Sequence, residues 1–246
     1  MTEQTRLPFT ALYNTRTLAG YITASGQQTS DRLLRGECFE KLLPADEQVL
    51  IDWQVRTVID LRGQGERDAV PGQLSSRADV SYIAIALMNE DANIVDPDQA
   101  ATFTMGDFYI YLLEQGQPAI AQVLRIIAQA SDQPGRLLFH CAHGKDRTGV
   151  ISALLLGLVG VADTDIVNDY AQTEQNISSI KKQIYELYGI AGQVDALIEE
   201  VFSSRPENMQ KMLGFINEKY GGASGYIATI GLTEAERDAI ARMMLS

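Results

Sequence analysis

The chain has 246 residues, 46% of them hydrophobic and 21% charged. That composition supports one sizeable buried core and excludes a disordered, fibrous or disulfide-scaffold protein. Thirty-two acidic against twenty basic residues leave a formal net charge of −12, which disfavours long-range attraction to nucleic acid or an anionic membrane surface.

The first residues, Met1 to Arg6, show no charged-then-apolar signal pattern, and no apolar run reaches the roughly 20 residues of a membrane helix. No integral membrane segment is expected, and a cytoplasmic home is the default. Short apolar runs predict strands at 33–35, 57–61, 81–85 and 136–139. The segment 89–98 is acidic and loop-like. Helices are expected at 103–115 and 119–130, separated by Gly116 and Pro118. Phe103, Phe108, Tyr109 and Tyr111 on the first of these are candidates for packing against an aromatic substrate ring, although aromatics at helical spacing are more often core.

A further helix begins near Thr148. Val150, Ile151, Leu154, Leu155, Leu156, Leu158 and Val159 make it apolar all round, which marks it as buried. Beyond 163 the pattern is helical only. Asp163 and Thr164 offer N-caps, 178–200 has amphipathic spacing, Pro206 opens another helix, and Thr233 with Glu236 forms a capping box. Alternating strands and helices followed by helices alone predict a single α/β domain over 1–246. Its sheet is mostly parallel, and the helical part 163–245 could cover a cleft.

Between the last strand and the apolar helix lies His140-Cys141-Ala142-His143-Gly144-Lys145-Asp146-Arg147-Thr148-Gly149. Five residues separate a cysteine from an arginine, at a strand's carboxyl end and a helix's amino end. Unpaired backbone N–H groups and the positive end of the helix dipole converge there on an anion. A thiol in that setting, beside Lys145 and Arg147, favours its thiolate. Arg147 can grip two phosphate oxygens with its planar fork. Thr148 can donate a hydrogen bond to the sulfur, and His140 fits an ordering role better than that of a base. A departing oxygen needs a proton, and Asp146 is the nearest donor.

Other readings of the loop fare worse. A nucleotide-binding loop needs G-x-x-x-x-G-K followed by Ser or Thr. Here Phe139 takes the first glycine position and Asp146 follows the lysine. A zinc site from His140, Cys141 and His143 would have only Cys38 left for a fourth ligand. An inert buried cysteine does not explain the glycine, lysine and arginine around it. Cys38 itself is expected to be packed; a reversible disulfide with Cys141 depends on a distance the sequence does not give.

The loop resembles the H-C-x5-R-S/T signature of cysteine-dependent protein tyrosine phosphatases. More narrowly it is similar to the H-C-x-x-G-K-D-R-T-G form of the bacterial family that acts on phosphotyrosine and, in some members, on phosphoinositides. Flanking segments follow the same family: Asn14 to Gly20 resembles N-F-R-D-L-G-G, Leu34-Arg35-Gly36 a strand ending R-S-G, and Thr57 to Arg62 a strand ending D-L-R with Glu66 after it. Asp169-Tyr170, Arg205-Pro206-Glu207, Tyr220-Gly221-Gly222, Gly225-Tyr226 and Gly231-Leu232-Thr233 continue the likeness. Two departures stand out. Thr17 replaces the aspartate of N-x-R-D, and no W-P-D acid loop occurs, which moves the acid onto Asp146.

The resemblance implies a tyrosine-phosphatase-like α/β fold and hydrolysis of phosphotyrosine in proteins through a phosphocysteine on Cys141. Arg147 is the implied clamp, and Ala142, His143, Gly144, Lys145, Asp146 and Arg147 bind the phosphate. Arg62 is expected to add charge to the pocket, with Lys181 and Lys182 if their helix folds over the cleft. Asp60, at a strand end, is the second candidate acid; a structural pair with Arg62 is its competing role. No metal or cofactor is called for, because the loop itself stabilises the charge. Phosphoinositide or dual-specificity activity is the alternative. A thiol redox enzyme such as an arsenate reductase, a sulfurtransferase, and a non-catalytic phosphate-binding module are readings of other classes.

Overall fold

Alternation of side chains along short apolar segments builds the sheet. In the computed structural model, residues 6–88, 102–178, 180–187, 189–190, 192 and 196–245 are described, and the acidic stretch 89–98 lies outside them. The strands are β1 (Arg16–Thr17), β2 (Leu33–Gly36), β3 (Val55–Asp60), β4 (Ser81–Ala84) and β5 (Arg136–His140), ordered β1-β2-β5-β3-β4. Only β1 runs antiparallel to its neighbour. The other pairings are parallel. On β5, Leu137 and Phe139 face one core and Leu138 the other, as a period of two requires. Leu33 and Leu34 on β2, and Ile59 and Val58 on β3, divide the same way.

The larger core packs α3 (Met105–Gln115), α4 (Gln117–Ala130) and α5 (Asp146–Leu158) against one face. The smaller one lies on the other face, against α1 (Pro44–Asp52), with Leu7, Phe9 and Leu12 from the N-terminal segment. Helices α6 (Asp163–Ser178), α9 (Pro206–Tyr220), α10 (Ala223–Thr229) and α11 (Glu234–Leu245) join the larger core. Between them, α7 (Lys181–Leu187) and α8 (Ala196–Phe202) lie off it. The helical part after 163 is therefore mostly core, with α7 and α8 outside it among the described residues.

The α/β class with a mostly parallel, helix-flanked sheet agrees with the sequence pattern; several elements do not. The two-residue β1 escapes any periodicity test. Helix α1 buries only Asp46 and Leu50, and α2 (Gln64–Ala69) buries nothing, so neither carries an apolar stripe. Helix α3 starts at Met105 because Thr104 caps it, accepting from the Asp107 amide.

Register fixes the functional edge. Gly36 and Asp60 both pair with His140, so β2, β5 and β3 end level. The turns after these strands meet at one place.

Candidate active site

The segment after β5 is that meeting point. His140 ends the strand, residues 141–145 turn, and α5 begins at Asp146, two residues before the sequence pattern suggests. The first amides of α5 have no intrahelical partner and face the turn. Gly144 has φ +67°, and a Cβ there would lie 2.6 Å from the Gly36 carbonyl oxygen, so no other residue fits. Cys141 is buried at 2% exposure. Thr148 is buried nearby, and its hydroxyl has no hydrogen-bond partner among the described residues.

Glu66, the N3 residue of α2, grips Arg147: Oε1 accepts from Nη2 at 2.8 Å and Oε2 accepts from Nη1. Burial opposes ionisation of Glu66, but the Arg147 hydrogen bonds outweigh it and hold the carboxyl below its usual range. Two of the five guanidinium N–H groups are used in this way, and three remain. Asp146 Oδ1 accepts from Tyr109 Oη at 2.7 Å and from Lys145 Nζ at 2.6 Å. Tyr109 is fully buried and also meets Tyr170 Oη at 2.6 Å. Burial and the neighbouring Asp146 push its hydroxyl well above the ordinary value, so it stays a donor.

Some expected site residues have other work. Arg62 gives Nε and Nη2 to Asp60 and Nη1 to the Val70 carbonyl at 2.8 Å. Its charge is spent on that pair. Asp60 is fully buried and also accepts from the Arg62 amide and from Tyr82 Oη. Burial opposes its ionisation, yet the hydrogen bonds from Arg62 and Tyr82 outweigh it and keep it ionised. The competing structural role thus describes its surroundings. Lys181 pairs with Glu174 and Glu199, and exposed Lys182 faces Glu186. Phe108 is core, and Phe103 and Tyr111 pack against it. Of the four aromatics only Tyr109 reaches the loop, and it does so through its hydroxyl.

Both histidines are held neutral. Burial lowers His140, whose Nδ1 meets the Cys141 carbonyl at 3.2 Å. Burial also lowers His143, to about 4, and its Nδ1 is hydrogen-bonded to Tyr13 Oη at 2.8 Å. Cys38 donates its amide to the Ala142 carbonyl at 3.0 Å, so the two thiols sit on adjacent turns. Burial pushes the Cys38 thiol up to about 12, and both cysteines are free. A cleft of about 210 Å³ runs beside the loop, between Tyr13, Cys38, Ala142 and His143 and the α7 residues Ile184 and Gln183. Above the loop, Phe202 lies 6.5 Å from the His143 ring and 5.3 Å from Tyr185, and Lys145 Nζ donates to the Ser203 carbonyl at 3.0 Å.

Glu66 and Ser203 are not among the sequence candidates for the site, and Tyr109 is one only for packing against a substrate ring, not for its hydroxyl contact to Asp146. They come from segments 37 to 81 residues distant from their partners, and no local spacing announces them. Among the described residues no three His, Cys, Asp or Glu side chains cluster as metal ligands, and no helix is long and apolar enough to cross a membrane.

Comparison with known proteins follows the same lines. Residues 7–246 match the sequence model of the tyrosine phosphatase family. A tyrosine-protein phosphatase of Nostoc commune is 32% identical over 220 residues, 84% of this chain and 72% of that one. The triple specificity protein phosphatase PtpB of Mycobacterium tuberculosis is 30% identical over 151 residues, 56% of this chain and 53% of its own. Among solved structures, P. aeruginosa TpbA aligns with a TM-score of 0.36 and 19% identity, covering 70% of this chain and 93% of that one.

Proposed function

The chain belongs to the tyrosine phosphatase family, and on that footing we propose that it hydrolyses phosphotyrosine in proteins through a phosphocysteine at Cys141. The observation that carries this is the loop itself: a buried cysteine and a glutamate-braced arginine flank the free amides of α5. The Cys141 thiolate attacks phosphorus. The S–P bond forms as the P–O bond to the tyrosyl oxygen breaks, and Asp146 gives that oxygen its proton. Asp146 then takes a proton from water, the water oxygen attacks phosphorus, and the thiolate leaves.

Arg147 holds two equatorial oxygens with its remaining N–H groups, and the amides from Ala142 to Arg147 surround the others. Glu66 aims the guanidinium. The unpartnered Thr148 hydroxyl is the donor for the departing sulfur. Asp146 is preferred as the acid because it borders the loop and its Oδ1 alone takes the Tyr109 and Lys145 contacts, leaving Oδ2 for the substrate. Asp60, wrapped by Arg62 and Tyr82, serves as a brace. Phe202 of α8 and the following Ser203 roof the loop, over His143 and Lys145.

Phosphotyrosine is favoured over a phosphoinositide because Lys145, the extra cation of the loop, is tied to Asp146 and Ser203. The test is phosphate release from a phosphotyrosine peptide and from a set of phosphoinositides, with Cys141→Ser as control. Higher kcat/KM on the peptide supports the reading. A preference for a phosphoinositide replaces it with a lipid-directed activity.

A further inference from the structure

Three of the flanking motifs converge on the underside of the loop. Asn14 Nδ2 donates to the carbonyls of His143 at 2.8 Å and Gly144 at 3.2 Å. Arg35 Nη2 donates to the same Gly144 carbonyl at 2.8 Å. Both side chains are fully buried. Arg16 Nη1 donates to Asn14 Oδ1 at 2.6 Å, and Asn176 Nδ2 does so at 3.1 Å, which fixes the amide so that its N–H₂ end faces the loop.

One carboxylate aims both arginines. Asp169 accepts from Arg16 Nε at 3.1 Å on Oδ1 and from Arg35 Nη1 on Oδ2, while Tyr21 Oη adds a third contact at 3.1 Å. Glu37 fixes the backbone that carries Asn14, accepting from the Tyr13 and Asn14 amides and from Thr15 Oγ1. Two buried cations on one buried anion, with Arg35 Nε unpartnered among the described residues, is an expensive arrangement for stability alone. Apolar residues of similar volume commonly hold a fold as well or better.

A peptide unit is planar, and its C=O points opposite to the N–H of the next residue. Drawing the His143 and Gly144 carbonyls down to Asn14 and Arg35 therefore turns the Gly144 and Lys145 amides up, into the anion hole. We propose that Asn14 and Arg35 are positioning residues for phosphate binding: three hydrogen bonds below the loop pre-orient two donors above it. Arg16 and Asp169 hold the pair in place. The proposal rests on the reading of the Cys141 loop as the phosphate site.

The test follows alkylation of Cys141 by iodoacetamide, by mass spectrometry, with inorganic phosphate titrated as protectant. Wild type is compared with Asn14→Asp, which keeps the volume and an oxygen for Arg16 but loses the donor, and with Arg35→Met. Arg32→Met is the control: Arg32 bonds the Gly135 and Gln133 carbonyls, away from the loop. Thermal midpoints accompany each variant. The expected result is that half-protection needs at least about tenfold more phosphate in Asn14→Asp and Arg35→Met, and no more in Arg32→Met. Arg35→Lys, which offers one donor without the fork, falls between, and it decides the matter where Arg35→Met fails to fold. Folded variants protected within twofold of wild type overturn the proposal. Wild type unprotected by phosphate overturns the phosphate-site reading instead, and the proposal with it.

Discussion

Beneath the Cys141 loop, Asn14, Arg35 and Gly36 meet it through buried hydrogen bonds and a backbone contact too close for a Cβ. Above it, Phe202 faces the His143 ring and the Ser203 carbonyl accepts from Lys145 Nζ. The floor's ion pairs are 0–2% exposed, whereas the roof pair Lys181–Glu199 is 21% and 46% exposed. Exposed pairs contribute about 0–1 kcal/mol, and breaking a buried one costs about 3–5 kcal/mol. The floor is thus held by buried ion pairs, and the roof by an exposed pair at α7 together with buried hydrogen bonds at Glu200 of α8, which accepts from the Met105 amide at 3.0 Å and from Asn208 Nδ2 at 2.8 Å.

The hardest blow to the floor is Asp169→Ala, which leaves Arg16 and Arg35 facing each other without their shared carboxylate. A loss of about 3–5 kcal/mol in denaturant unfolding is expected. A change under about 1 kcal/mol would remove the floor from its place in the comparison.

Asp146→Asn strikes between floor and roof. Turnover of phosphotyrosine should fall about 10²-fold, while an aryl phosphate with a good leaving group keeps most of its rate. Asp60→Asn should instead lower stability and affect both substrates alike. The reverse pattern would exchange the two roles.

A smaller effect comes from His143, which touches both sides. Its folded value of about 4 lies below its ordinary one near 6.5, because burial disfavours the imidazolium. The unfolded chain therefore binds the proton more readily, and stability falls as pH drops from about 6.5 towards 4. The loss amounts to about 3 kcal/mol. Buried carboxylates such as Asp60 and Asp169, held low by their arginines, give way only at lower pH. Denaturant unfolding of wild type and His143→Asn across that window should give a flatter curve for the variant; parallel curves would mean that another group carries the proton. Smallest of all is Phe202→Ala. Opening the roof should change kcat/KM by no more than about threefold and stability by under about 1 kcal/mol. A collapse of either would show that the roof is as firmly built as the floor.

The difference between floor and roof also sorts what could be read from the chain alone. The loop 140–149 is local: cysteine, glycine, lysine and arginine stand within ten residues, so spacing reveals its chemistry. The strands leading to it are short apolar runs with a period of two, and the α/β class follows from them. Contacts that cross the sequence leave no such trace. Asn14 and Arg35 reach carbonyls more than 100 residues away, and the flanking motifs that contain them are visible without showing what they touch. Arg62 shows the opposite case. A cation at a strand end next to the loop looks the same whether it lines the pocket or pairs with Asp60, until the distances are known. Helices α1 and α2 were illegible because they bury almost nothing, and periodicity records only burial.

The most direct measurement is intact-protein mass spectrometry after rapid mixing with a phosphotyrosine peptide. Wild type and Asp146→Asn are predicted to carry a phosphoryl adduct that maps to Cys141. It should persist longer in Asp146→Asn, where water activation is impaired, and be absent from a Cys141→Ser protein that still binds the peptide. Turnover retained by Cys141→Ser, or an adduct on another residue, would contradict the account.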